Sequence, residues 1–136
     1  MAADPGRATL VPVNVIGLGV DVVDVARIER ILERHDGFVA RVFSDEEIAF
    51  CERSARPAEC FAARWAAREA CAKALGGIPE GNWRDIRVVR AESGEIAVEL
   101  DGAARERARE VGIDRLLLSF AHERSQAVAC CLALGS

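Results

Sequence analysis

Two carboxylates and one ammonium, Asp21, Glu69 and Lys73, stand where this chain could do chemistry. Glu69 and Lys73 lie four apart in the stretch Arg64-Trp65-Ala66-Ala67-Arg68-Glu69-Ala70-Cys71-Ala72-Lys73-Ala74-Leu75-Gly76. Phe61 and Trp65 continue that spacing backward, so the four residues share one helix ridge. A ridge that begins with two aromatics faces a core, and a charge further along it needs a partner, a metal or an opening to water. The pair therefore reads either as an ordinary i,i+4 ion pair or as part of a carboxylate metal site. Asp21 stands in Val13 to Val23, whose β-branched density predicts a strand. Alternation puts Ile16, Leu18, Val20 and Val22 on one face and Gly17, Gly19 and Asp21 on the other. Two missing side chains beside a carboxylate leave room for something to approach it closely. The other reading is a glycine bulge at a strand end, with Asp21 in the turn.

Composition bounds what else the chain can be. Its 136 residues suit one domain, and 51% hydrophobic with 29% charged content describes a soluble globular chain. A net charge of −4 argues against wholesale nucleic-acid binding, and no apolar run reaches membrane-spanning length. Arginine outnumbers lysine seventeen to one, and the single lysine is Lys73, a compact ammonium rather than a planar fork. The five cysteines (51, 60, 71, 130 and 131) lack metal-ligand spacing and read as buried reduced thiols of a cytoplasmic protein. Residues 1–12 read as a flexible extension, too short and unflanked for a signal peptide, and residues 13–136 as the folded domain.

The elements that must position the three residues follow in order. Asp24 reads as the cap of a helix from Val25 to about His35, with Arg27, Arg30 and Arg34 along one basic stripe. Glu29 and Glu33 make that stripe a solvated face, unless an acidic partner docks on it. Ser44 and Glu47 form a capping box for a helix to about Arg53. Pro57 opens and Gly76-Gly77 closes the long helix that carries Glu69. Beyond it lie a hairpin (Arg84 to Arg90, Glu95 to Leu100), a short helix capped by Asp101, and strands Leu116 to Phe120 and Ala127 to Leu134. The architecture predicted is α+β, helices gathered against a mainly antiparallel sheet.

Gly17-Leu18-Gly19-Val20-Asp21-Val22-Val23-Asp24-Val25-Ala26-Arg27-Ile28 resembles the amino-terminal motif of holo-acyl-carrier-protein synthases, the small 4'-phosphopantetheinyl transferases. The stretch Arg64 to Ala74 is similar to their second motif, Phe38 to Phe43 to the segment between, and Leu118-Ser119-Phe120-Ala121-His122 to their Ser-His motif. The likeness spans about residues 14 to 134. It implies transfer of the phosphopantetheine arm of coenzyme A to a carrier-protein serine, with Mg²⁺ held by Asp21 and Glu69 and phosphate charge neutralised by Lys73. Arg64, Gly76 and His122 would meet coenzyme A, and Arg27 and Arg41 an acidic carrier. The resemblance also implies a homotrimer with sites between subunits. Arg68, Ala121 and Glu95 depart from the family's pattern. The alternatives are a catalytically silent trimeric module that binds carrier or nucleotide, and an unrelated metal-dependent phosphohydrolase.

Overall fold

Pro57–Ala74 form an 18-residue helix, α4, with proline in its first turn, where a missing N–H costs nothing. It is the centre of the molecule, and a computed structural model describes residues 13–78 and 82–136 around it. The extension expected at residues 1–12 lies outside the described residues. Before α4 come β1 (Asn14–Asp24), α1 (Val25–Arg34), α2 (Phe38–Val42) and α3 (Asp45–Glu52). After it come a 3₁₀ turn (Trp83–Asp85), β2 (Ile86–Arg90), β3 (Ile96–Leu100), α5 (Gly102–Glu110), β4 (Arg115–His122) and β5 (Gln126–Gly135). Strands β1, β5 and β4 form one antiparallel sheet in that order, and β2 pairs with β3 in a second. This is the expected α+β class. The five-residue α2 is too short to show a helical period in the sequence.

The inner face of the large sheet meets α4. Register puts Gly17, Gly19 and Asp21 of β1 beside Ala133, Cys131 and Ala129 of β5 on that face. From α4, Ala66, Ala67, Ala70 and Ala74 are buried against it. A Cβ on Gly19 would land on the Ala70 carbonyl oxygen, and one on Gly17 on that of Ala74. The glycines thus admit the helix backbone, not a ligand. The outcome for the other face is equally plain: Leu18, Val20 and Val22 point outward, 59%, 49% and 57% exposed. Val128 and Leu117 continue that exposed apolar surface.

The other side of α4 is tied down by a buried ion pair. Arg68 is fully buried; its Nη1 donates to Glu47 Oε2 at 2.7 Å, its Nη2 donates to Glu47 Oε1, and its Nε donates to the Trp83 carbonyl at 3.1 Å. The guanidinium also lies 4.8 Å from the Phe43 ring centre. Glu47 serves the capping box too, since Ser44 Oγ accepts from its backbone N–H while its Oε1 accepts from the Ser44 N–H. One carboxylate therefore starts α3 and fastens α4.

Three expectations change. Asp24 makes no side-chain cap to α1; the Val25 N–H is taken by the Ser125 carbonyl instead. Asp101 does not cap α5 either, because it pairs with Arg87 at 2.8 Å while Asp85 Oδ2 accepts from the Ala103 N–H. Cys51 and Cys60, read as reduced, are joined by a disulfide that links α3 to α4, whereas Cys71, Cys130 and Cys131 are free. A pairing between two helices leaves no local sequence signal.

Candidate active site

The ridge Phe61, Trp65, Glu69, Lys73 climbs out of the core. Phe61 is buried, Trp65 and Glu69 are half-buried and Lys73 is exposed. Its aromatic base is held by rings: Phe61 lies tilted against Phe43 (centroids 5.1 Å apart), and Trp65 meets Phe38 (5.7 Å) and Trp83 (4.8 Å) edge-on. Because Gly17 and Gly19 let α4 sit directly on β1, the next inward residue of the strand, Asp21, comes against the end of the ridge.

Lys73 Nζ donates to Asp21 Oδ1 at 3.1 Å and to the Val20 carbonyl at 2.9 Å. The i,i+4 reading of Glu69 with Lys73 is thus not what the geometry shows; the ammonium turns to the strand. Burial is the main cause lifting the Glu69 carboxyl above its ordinary value. The Asp21 charge and a hydrogen bond between the two carboxyls add to this, while Lys73 and Arg27 oppose it. Such a hydrogen bond needs a proton on one of the acids. With both ionised, Asp21 Oδ2 is a buried acceptor with no donor. Two crowded carboxylates and one orphaned oxygen at the mouth of a half-open site suit a hard cation that keeps water and phosphate oxygens as its other ligands. No cluster of three or more His, Cys, Asp or Glu residues that could hold a metal ion occurs among the described residues.

A family model, the 4'-phosphopantetheinyl transferase superfamily, matches residues 17–131. The chain belongs to this superfamily. It is similar to the holo-[acyl-carrier-protein] synthase of Moorella thermoacetica, 40% identical over 119 residues, covering 87% of this chain and 93% of that one. The synthase of Anaeromyxobacter sp. strain K is 45% identical over 127 residues, covering 90% and 98%. Among solved structures, the holo-ACP-synthase from Plasmodium yoelii superposes with a TM-score of 0.81 at 32% identity over 92% of this chain and 98% of that one. The ACPS–CoA complex of Chronobacterium ammoniagenes gives 0.77 at 30%, over 88% and 97%. This transferase is accordingly an enzyme of the holo-[acyl-carrier-protein] synthase kind.

The other residues singled out from the transferase's sequence fall into two places. Arg27 lies near enough to act on Glu69 and is exposed on α1, as are Arg30 and Arg34. Arg41 lines an open groove of about 500 Å³ with Phe38, Val42, Trp65 and Trp83. Gly76, with φ 78°, ends α4 one turn past Lys73, where its N–H is taken by the Lys73 carbonyl. The helix end is closed by Arg107, whose Nε donates to the Leu75 carbonyl at 2.9 Å; nothing in the local pattern had marked it. Arg64 and His122 are elsewhere. Arg64 is buried between Phe50 and Phe120, with Nη1 donating to Cys60 Sγ at 3.2 Å, and burial lowers its pKa. His122 reaches Glu59 in the first turn of α4. Ten residues separate Glu59 from Glu69, about 15 Å of helix. Within one chain the transferase therefore presents two clusters, one at each end of α4.

Proposed function

We propose that this enzyme transfers the 4'-phosphopantetheine arm of coenzyme A to a serine hydroxyl of an apo acyl carrier protein, with Mg²⁺, releasing adenosine 3',5'-bisphosphate. The observation that carries it is the pairing of Asp21 and Glu69 beside Lys73. The serine oxygen bonds to the phosphorus that bears the pantetheine, and the bond from that phosphorus to the bridging oxygen of the diphosphate breaks. Asp21 and Glu69 would hold the metal, which, when bound, offsets diphosphate charge. Lys73, anchored on the strand by Val20 and Asp21, keeps an ammonium where the leaving phosphate gathers negative charge. The serine proton passes to a carboxylate-oriented water or to Glu69.

The exposed sheet face of Leu18, Val20, Val22, Leu117 and Val128 supports a homotrimer, since a contiguous apolar surface of this kind marks an interface. The two clusters on α4 support a site shared between subunits, the acid pair of one chain facing the His122 end of the next. The exposed arginines of α1, with Arg41, suit an acidic carrier. Incubating apo carrier proteins with the enzyme, coenzyme A and Mg²⁺ and weighing the carriers tests the proposal. A mass gain of one phosphopantetheine is expected. Tight carrier binding with no mass gain would point instead to a silent binding module.

A further inference from the structure

At the start of α4, one carboxylate collects two cationic side chains. Glu59 is 7% exposed; its Oε1 lies 3.0 Å from His122 Nδ1 and its Oε2 accepts from Arg56 Nη1 at 3.2 Å. Its partners are open to water: the side chains of His122 and Arg56 are 43% and 51% exposed. A buried acid between two exposed cations contributes little as surface ion pairing. It does fix where the cations point. An imidazole bound through Nδ1 presents Nε2 outward, and a guanidinium held by one N–H keeps the rest of its fork for another anion.

We propose that Glu59 is a positioning residue for phosphate, holding His122 and Arg56 side by side so that Nε2 and the remaining guanidinium N–H groups face one anionic group of the nucleotide. This rests on the reading of the His122 end as the part that meets coenzyme A. The imidazolium is the form that donates from both nitrogens, to the Glu59 carboxylate through Nδ1 and to an arriving phosphate oxygen through Nε2. In keeping with this, the His122 hydrogen bond is the main cause holding the Glu59 carboxyl below its ordinary value, with Arg56 helping and burial opposing. His122 and Arg56 are the charged groups that act on Glu59 among the described residues. Sequence alone hid the trio, because residues 56, 59 and 122 come from a loop, a helix and a strand end.

The test uses Glu59→Gln, which keeps size and an acceptor oxygen but removes the charge. Binding of adenosine 3',5'-bisphosphate to the full chain, measured by calorimetry, is expected to weaken about tenfold. In a His122→Ala background the same substitution should cost less than in the wild-type protein, because only its hold on Arg56 is left to lose. Nitrogen NMR should show His122 protonated at Nδ1 in the wild-type protein. Carboxyl NMR should show the Glu59 titration rising in His122→Ala, a measurement that stands even if Glu59→Gln fails to fold. Unchanged nucleotide affinity in folded Glu59→Gln, full additivity in the double variant, or a Glu59 titration indifferent to His122→Ala each overturns the inference. A wild-type protein that binds no adenosine 3',5'-bisphosphate at all overturns the coenzyme A reading as well, so the two failures are told apart.

Discussion

Gly19→Ala separates two uses of the same missing side chain. A methyl there would stand 2.8 Å from the Ala70 carbonyl carbon and 2.9 Å from the Ala74 nitrogen, besides meeting the Ala70 oxygen. Ordinary contact is about 3.5 Å, so the overlap is roughly 0.6–0.7 Å at those two atoms and larger still at the oxygen, against backbone that cannot rotate away. Helix α4 must lift from β1, yet Arg68 holds its far side to Glu47 and Trp83. Overpacking of this kind costs about 1–3 kcal/mol, roughly 4–12 °C in melting temperature for a domain of this size. The lift also parts Asp21 from Glu69 and Lys73. A displacement near 1 Å in reacting groups lowers rates by about 10²-fold, so kcat should fall roughly ten- to a hundredfold. Thermal melts and steady-state transfer kinetics on the variant give both numbers. If the glycine instead made room for substrate, the KM for coenzyme A would rise while the melting temperature stayed put. That result, or wild-type values throughout, would refute the packing argument.

Four further outcomes can be measured. Asp21→Ala and Glu69→Ala should each abolish transfer while leaving the fold intact, because each removes one of two proposed metal ligands; folded variants with near-normal rates in limiting Mg²⁺ would contradict this. Glu47→Ala strands the buried Arg68 charge and should cost about 3–5 kcal/mol in denaturant titrations, whereas Glu47→Leu with Arg68→Met should recover much of it. The raised Glu69 carboxyl favours the protonated form in the fold, so its stabilising share is complete below the ordinary glutamate range and is lost as pH rises through the raised value. Glu69→Gln should therefore melt higher than wild type at pH 7 without metal, with the gap closing in acid; a gap independent of pH would be the contrary result. Arg27→Glu should raise the KM for carrier about tenfold and weaken its salt dependence, while Arg34→Glu stays within about threefold; equal losses for carrier and coenzyme A would defeat the docking idea.

The strand and helix carrying Asp21, Glu69 and Lys73 were legible because each is a local pattern: β-branched density, a four-residue ridge, a proline start and a glycine stop. Which face of β1 looks inward was not. Alternation names two faces, and only the alanine-lined backbone of α4 decides that the glycine face is the covered one. Ser44 and Glu47 were found as a capping box, yet the second duty of Glu47 depends on Arg68, twenty-one residues on. The Asp24 and Asp101 caps failed through tertiary packing: the Asp85 carboxylate reached the Ala103 N–H in place of Asp101, and the Asp24 side chain accepts from Gln126 across the sheet. The Cys51–Cys60 bridge and the Glu59 trio are also unions of distant segments.

Because α4 keeps the acid pair near one end and Glu59 with His122 at the other, about 15 Å apart along its axis, the two ends can be damaged independently. A chain with Glu69→Ala retains its histidine end, and a chain with His122→Ala retains its carboxylates. Mixed in the proposed trimer, two such crippled chains would rebuild a working site wherever their undamaged ends meet, although neither works by itself. Two loss-of-function alleles of the same gene would then complement each other inside one cell, while two alleles damaged at the same end of the helix would not.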